Sequence, residues 1–303
     1  MQEYQHSIAE VFELSGPGLH TGRGCTIRVV PASSGSGIQF RRVDLTGQPN
    51  IPALVTQIHS TDRSTNIGSG NNRVHTVEHL MSAFVAARID NVLVEVDGPE
   101  IPILDGSAEP FYSKIVPLRQ DAQREVMILT EALHYQNDRG NRISAYPSDK
   151  FELDCTIDFG TPPVGRQQVT LDNLEDFATE IARSRTFCFL DEIELLFDHG
   201  LIKGGDISNA VVFVREKMPS SEVQRIAHKI GKPDLSVRNS GTLSNTELRF
   251  PDEPVRHKLL DLLGDLYLLG QPVRARIVAE RPGHAVNAAF TKLLYEQCQR
   301  QKK

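Results

Sequence analysis

The chain has 303 residues, of which 39% are hydrophobic and 24% charged, a globular composition of a length that fits two domains and excludes a disordered or fibrous chain. Its 33 Lys and Arg against 39 Asp and Glu leave a net charge of −6, which excludes the global basic field of a general nucleic-acid binder.

Taken in chain order, Cys25–Val30 predicts a strand, the Ser33–Gly37 run a turn, and Ile38–Arg42 the next strand. The polar stretch Ser60–Asn72 reads as a loop. From Val74 to Arg88 the period changes: Val77, Leu80, Met81, Phe84 and Val85 recur at three-and-four spacing, which predicts an amphipathic helix. Asn91–Val96 follows as a strand and Asp97–Pro110 as a Pro/Gly-rich connection. Around Pro117–Glu125 the chain turns polar, and a domain boundary is expected there, dividing it into residues 1–120 and 121–303. The second half starts again with strands, among them Lys150–Phe159. Phe189–Phe197 reads as helical, Leu201–Gly205 as a loop and Ala210–Val214 as a short buried strand. Val255–Leu269 is a second amphipathic helix, stopped by Gly270 and Pro272, and Val273–Ala279 is a strand.

The two halves rhyme. Glu78-His79-Leu80 opens a helix that leads to the strand at Asn91, and Arg256-His257-Lys258 opens one that leads to Val273. Strands, helix, strand in each half predict an α+β protein of two similar domains, each a two-layer sandwich of sheet and helix. Cys25, Cys155, Cys188 and Cys298 form no CxxC pair and no disulfide framework, which fits a reducing compartment. There is no signal-peptide apolar core at the start, and no apolar run approaches the roughly 20 residues that span a bilayer. A cytoplasmic protein without stable membrane insertion is therefore expected.

His257 and Asp261 are four apart, about 40° from each other on one helix face, where an imidazole and a carboxylate can chelate one divalent ion. Asp265 continues that face by another turn. Catalytic zinc sites take three protein ligands and leave a position for water. The corresponding place in the first half supplies His79, preceded by Glu78, which can reach metal-bound water without ligating. Taken alone, His257 and Asp261 also fit an i,i+4 ion pair. A rival reading takes His75-Thr76-Val77-Glu78-His79 as the HxxEH site of a zinc peptidase, with both histidines as ligands and Glu78 as base, and leaves His257, Asp261 and Asp265 without a role. A third is a non-catalytic sugar-nucleotide-binding module whose metal is structural. Two imidazoles and a carboxylate suit Zn²⁺, and Fe²⁺ or Co²⁺ as well.

Eight segments then occur in order: Gly18-Leu19-His20-Thr21-Gly22, Phe40-Arg41-Arg42-Val43-Asp44, Thr76-Val77-Glu78-His79-Leu80, Pro99 to Ser107 (PEIPILDGS), Ser184-Arg185-Thr186-Phe187, Gly204-Gly205, Val255 to Asp261 (VRHKLLD) with Gly264-Asp265-Leu266, and Gly283-His284-Ala285. Together they make the chain, from about residue 5 to 295, similar to the zinc-dependent UDP-3-O-acyl-N-acetylglucosamine deacetylases of lipid A synthesis. The resemblance implies an active site between two α+β domains, one Zn²⁺ held by His79, His257 and Asp261, Glu78 as general base, and His284 as acid or charge stabiliser. It implies an early committed step of lipid A synthesis, in which an acylated UDP-sugar loses its N-acetyl group as acetate. Two positions depart from the family: His75 stands where a small residue is usual, and 62–72 lacks a cysteine often found there, so inhibition by excess zinc is expected to differ.

Amide hydrolysis needs a nucleophile, a pull on the carbonyl and a proton for the departing amine. Asp265 is expected to hold the second nitrogen of His284, and Thr186 to offer its hydroxyl to the oxyanion. Lys258, beside a ligand, is a candidate substrate contact. An anion pocket is sought in Lys203 and Arg281, with Phe159 beside Asp158 as a stacking face for uracil. Phe187, Ile193, Ile202, Ala210 and Val212 are candidate walls of an acyl channel, and each also fits an ordinary core position. His20 and His59 are read as structural, and the chain as a monomer with a small-molecule substrate and no nucleic-acid partner.

Overall fold

The computed structural model describes residues 3–160, 162–193, 203–206, 208–215, 218–229, 235–243 and 247–301. The first half carries strands β1 (Tyr4–Ile8), β2 (Phe12–Pro17), β3 (Gly24–Pro31), β4 (Ile38–Arg42), β5 (Asn50–Pro52), β6 (Ile58–Ser60), β7 (Asn66–Ser69) and β8 (Asn72–Val74), then helix α1 (Glu78–Ala86), β9 (Val92–Val96) and a short α2 (Glu109–Tyr112). The second half carries β10 (Pro117–Gln123), β11 (Met127–Ile128), β12 (Leu133–Gln136), β13 (Arg142–Pro147), β14 (Phe151–Asp158), β15 (Arg166–Leu171), α3 (Phe177–Glu180), β16 (Phe187–Phe189), β17 (Val211–Phe213), α4 (Ser220–Lys229), α5 (Glu253–Tyr267), β18 (Val273–Glu280) and α6 (His284–Gln301).

The two main sheets share one topology. The first has the order β2-β3-β9-β4-β5 and the second β12-β13-β18-β14-β15, with β11 added beside β18. In each, the strand after the long helix sits in the middle. β9 runs antiparallel to β3 and parallel to β4, and β18 runs antiparallel to β13 and parallel to β14. A parallel neighbour requires a crossover, and α1 and α5 lie in those crossovers. The α+β class, with a repeated sheet-plus-helix unit, is thus what the rhyme between the halves predicts.

The sequence explains why the helices become the centre. Every residue of α1 is buried, as are all residues of α5 except Arg256 and Lys258, so each is covered on all sides. They cross where Gly264 lacks a side chain: a Cβ there would lie 2.0 Å from the carbonyl oxygen of Glu78. One continuous apolar cluster runs through both sheets and both helices, from Ile27, Phe40 and Phe84 to Leu259, Ile277 and Phe290. A separate cluster, including Leu190, Ile193, Val212, Val223 and Leu243, forms the core beside β17 and α4.

Several expectations are corrected. The helix expected over 74–88 begins only at Glu78, because Val74 ends β8 and Thr76 takes a left-handed φ of 60° that no helix continues through. The polar stretch expected as a loop contains β7 and the start of β8, with β6 ending at Ser60; the three form an antiparallel sheet. Ser64, Thr65 and Asn66 are buried there despite their polarity, because a side-chain network satisfies them. Phe189 ends β16 rather than opening a helix; 190–193 are helical and the rest of 189–197 lies outside the described residues. Of 201–205, Leu201 and Ile202 lie outside them too. Pro117–Gln123, in the polar stretch between the halves, is a strand paired antiparallel with β1. Among the described residues no helix is long and apolar enough to cross a membrane.

Candidate active site

Six side chains converge where α1 meets α5 and α6. Glu78 and His79 open α1, His257, Asp261 and Asp265 lie one turn apart along the α5 face turned toward it, and His284 is the first residue of α6. The titratable face of α5 is buried, with His257, Asp261 and Asp265 at most 2% exposed. Such groups persist inside a protein only when they satisfy one another or a bound ion.

The His79, His257 and Asp261 donor atoms lie within 4.8 Å of one another. Asp261 Oδ1 is 3.3 Å from His257 Nε2 and 3.6 Å from His79 Nε2, and it has no hydrogen-bond partner although it is buried. Neither contact is a hydrogen bond. The two separations match the roughly 3.3 Å between neighbouring donors that each stand about 2.0–2.1 Å from a tetrahedral ion. An orphaned carboxylate oxygen facing two imidazole nitrogens is a donor set shaped for a divalent metal. The other groups are already tied: His257 Nδ1 donates to the Ser184 carbonyl at 3.1 Å, and Asp261 Oδ2 accepts from Lys258 Nζ at 2.8 Å. These bonds leave the Nε2 of His257 and the Oδ1 of Asp261 turned to the gap. Burial lowers the His257 pKa to about 3 and so keeps the imidazole neutral, as a ligand must be. Burial disfavours the Asp261 charge, but His257 and Lys258 hold its carboxyl well below the ordinary range.

Glu78 and His284 flank this gap. Glu78 Oε1 lies 3.9 Å from His284 Nε2, and its Oε2 accepts the backbone N–H of Thr65 at 3.1 Å. Burial raises the Glu78 pKa to about 7, against the pull of His284 and His79. His284 Nδ1 donates to Asp265 Oδ2 at 3.0 Å. Burial opposes its protonation, but the Asp265 charge and hydrogen bond win and raise its pKa to about 9. Near neutral pH the pair therefore presents a carboxylate able to take a proton and an imidazolium able to give one.

His75 is not part of the cluster. It precedes α1, bridges to Glu100 and bonds Asn66 Oδ1 through Nδ1 at 2.9 Å, so His75 and His79 share no helix face and the HxxEH peptidase geometry is absent.

Residues 5–230 and 233–296 match the family described as UDP-3-O-acyl N-acetylglycosamine deacetylase (LpxC). The chain belongs to this family. It is 42% identical over 306 residues to the bifunctional enzyme LpxC/FabZ of Chlorobaculum tepidum, covering 99% of this chain and 66% of that protein. It is 39% identical to the UDP-3-O-acyl-N-acetylglucosamine deacetylase of Myxococcus xanthus, over 93% of this chain and 83% of the relative. The corresponding protein of Thermosynechococcus vestitus is 38% identical over 97% and 94%. The chain spans just under two thirds of the bifunctional relatives, 66% and 64% of their lengths.

The remaining candidate positions divide by location. Phe187 stands beside the cluster, its ring edge-on to His257 at 6.4 Å and 5.7 Å from Lys258 Nζ. Phe159, 38% exposed, packs on Phe187 and Phe189 at 5.6 and 5.5 Å. Asp158 is exposed and accepts the Gly160 N–H. Thr186 is tied by its backbone to Gly106 and Val211, two residues beyond the carbonyl that holds His257. Lys203 and Arg281 are exposed: the first bonds the His20 carbonyl through its backbone, and the second reaches the Gly140 carbonyl with its guanidinium. Ile193 and Val212 are packed in the second apolar cluster, Ala210 is partly buried, and Ile202 lies outside the described residues.

Sequence reasoning missed Thr65, Asn287 and Glu253, and gave no role to Arg185 although it stands in the Ser184–Phe187 segment. Asn287 Nδ2 donates to Asp265 Oδ2 at 2.8 Å. Arg185 pairs with the buried Glu253 at 2.8 Å and so fixes the Ser184 segment to the start of α5. Their polar side chains appear in ordinary positions of the sequence, and only the fold reveals that they are buried.

Proposed function

We propose that this protein is a mononuclear zinc hydrolase that removes the N-acetyl group of UDP-3-O-acyl-N-acetylglucosamine, giving acetate and the free amine in an early step of lipid A synthesis. The observation that carries the proposal is the unpartnered Asp261 Oδ1 facing His79 and His257, flanked by Glu78 and His284, in a chain of this family. His79, His257 and Asp261 would hold the ion, and a divalent metal there supplies Lewis acidity toward the acetamide carbonyl and makes water acidic enough to attack at neutral pH. Glu78 takes the proton of the attacking water. Asp265 holds His284 through Nδ1, so Nε2 gives a proton to the departing amine nitrogen. Thr186 donates its hydroxyl to the oxyanion. Water adds to the carbonyl carbon, the C–N bond breaks, and the proton taken by Glu78 is matched by the one that reaches nitrogen.

Lys258 and Phe187, at the edge of the cluster, would contact the substrate. Phe159 with Asp158 would receive the uracil, Lys203 and Arg281 the diphosphate, and the segment bearing Ile193, Ile202, Ala210 and Val212 the acyl chain. The working unit is a cytoplasmic monomer, with an N-terminal domain over 1–120 that supplies Glu78 and His79 and a C-terminal domain over 121–303 that supplies the rest.

Free-amine release from UDP-3-O-acyl-N-acetylglucosamine tests the proposal. Activity is expected to disappear on chelation and to return with stoichiometric zinc. A folded, zinc-loaded protein that releases no amine refutes it.

A further inference from the structure

We infer that Thr65 is the positioning residue that fixes the imidazole of His284, acting from the small β6–β7–β8 sheet; this rests on the deacetylase reading of the site. Thr65 immediately precedes β7 and is fully buried. Its backbone is clamped at both ends, with its N–H on Glu78 Oε2 at 3.1 Å and its carbonyl accepting the Val77 N–H at 3.2 Å. Its hydroxyl lies 2.5 Å from Asp265 Oδ1 and 3.2 Å from His284 Nδ1. One residue therefore touches the proton-accepting carboxylate, the proton-donating imidazole and the carboxylate behind that imidazole.

The donor and acceptor inventory assigns the protons. An ionised Asp265 only accepts, so the Thr65 hydroxyl must donate to Oδ1. Its lone pairs then face His284 Nδ1, which must carry hydrogen. That N–H is shared between Asp265 Oδ2 at 3.0 Å and Thr65 Oγ1 at 3.2 Å. With the Nδ1 side closed, Nε2 is the nitrogen left toward Glu78 and Asp261, each 3.9 Å away. Asn287 and His284 both serve Oδ2 of Asp265, whereas the hydroxyl of Thr65 serves Oδ1. Without that hydroxyl the Asp265 carboxylate loses the bond that sets its rotation, and the ring it holds loses its fixed orientation.

The sheet that carries Thr65 is itself anchored. Asn66 Oδ1 receives His75 Nδ1, the Ser64 hydroxyl and the Thr76 N–H. This gives His75 a structural task at the back of the same segment.

The test compares Thr65→Val with Thr65→Ser in the zinc-loaded full chain. Valine keeps the shape and the backbone bond to Glu78 and removes only the hydroxyl, and serine restores it. The expected result for Thr65→Val is a kcat about 10–100-fold lower, with KM and metal content unchanged, and recovery by Thr65→Ser to within about threefold. A kcat for Thr65→Val within about twofold of wild type overturns the inference, as does a loss confined to KM or accompanied by loss of metal. A second readout is independent of turnover. In metal-free protein with ¹⁵N-labelled histidine, the His284 Nδ1–H is expected to be protected from solvent exchange in wild type and Thr65→Ser and to exchange at least tenfold faster in Thr65→Val, or in Thr65→Ala should valine not fold. Equal exchange overturns the inference. Wild type that is inactive yet shows this difference would instead refute the deacetylase reading alone.

Discussion

Substituting Gly264 by alanine tests whether the helix crossing sets the metal geometry. The added Cβ would stand 2.0 Å from the Glu78 carbonyl oxygen, 2.8 Å from its carbon and 3.1 Å from its Cα. Those neighbours are backbone of a helix buried on all sides, so no side chain can swing away. Carbon and oxygen approach to about 3.3 Å, so α5 must retreat from α1 by roughly 1.3 Å. His79 rides on α1 and Asp261 on α5, and their donor atoms are 3.6 Å apart. The retreat carries them toward roughly 5 Å, whereas two ligands at about 2.1 Å from one ion can be no more than about 4.2 Å apart. Overpacking costs about 1–3 kcal/mol, and the better helix propensity of alanine returns about 1 kcal/mol. A net loss of at most about 2 kcal/mol is therefore expected in denaturant unfolding of metal-free protein, with zinc affinity and turnover each down about 100-fold or more. Gly24→Ala is the control, since a Cβ there meets nothing within 4 Å, and it is expected within about 0.5 kcal/mol of wild type. A folded Gly264→Ala protein with wild-type zinc affinity in a competition titration would refute the reasoning.

Other perturbations separate the roles of the remaining groups. Glu78→Gln is expected to keep zinc stoichiometry and lose about 10²–10⁴ in kcat, whereas His257→Ala is expected to lose the metal itself; elemental analysis beside a turnover assay distinguishes them, and retained activity in either defeats that assignment. His75→Ala is expected to keep normal kcat with about 1–2 kcal/mol less stability, because it forfeits only the Asn66 bond; a hundredfold loss of kcat in folded protein would revive the peptidase site. Asp105 links the halves through Arg249 Nη1 at 2.8 Å. Burial raises its pKa, but the Arg249 and Ser107 bonds outweigh this and leave it lowered. Its contribution is thus complete above the unfolded carboxylate pKa near 3.9 and fades as pH falls through the lower folded value. Asp105→Asn should cost about 1–2 kcal/mol at pH 7, a difference that narrows as pH falls below the unfolded carboxylate range and through the lower folded value; a gap independent of pH contradicts the ion-pair origin.

The strands and the long helices were legible because their apolar residues alternate or recur at helical spacing, as in β4, β9 and α5. The candidate ligand set was legible for a different reason: His257 and Asp261 are neighbours on one helix by spacing alone, the rhyme between the halves offered His79, and the family resemblance implied all three together with His284. What escaped was polar and buried. Ser64, Thr65 and Asn66 read as loop because polarity signals exposure in a sequence, and nothing local shows that Asp265, two hundred positions on, will satisfy Thr65. The start of α1 escaped as well. Val74 and Val77 extend the helical period backward, but Thr76 gives its hydroxyl to the buried Glu100 at 3.0 Å and turns the chain through a left-handed φ just ahead of the helix. That tertiary bond overrides the local pattern and moves His75 off the face of His79.

The repeated topology explains why the site lies where it does. Each half builds the same five-stranded order and contributes one long helix, and neither helix holds a full ligand set: α1 brings one imidazole and α5 an imidazole and a carboxylate. Only the crossing completes three donors, and the crossing is close because Gly264 allows it. The two halves differ in the charge their helices carry. The first turn of α1 presents Glu78 and His79 toward the gap, and α5 commits three turns of one face to His257, Asp261 and Asp265. Such a buried charged face would destabilise a lone domain. It is tolerated because the groups are met by others: Ser184 for His257, Lys258 and, across the gap, His79 for Asp261, and Thr65, His284 and Asn287 for Asp265. The same contacts that make α5 acceptable in the interior also aim its side chains, so folding of the two halves against each other and assembly of the site are one event.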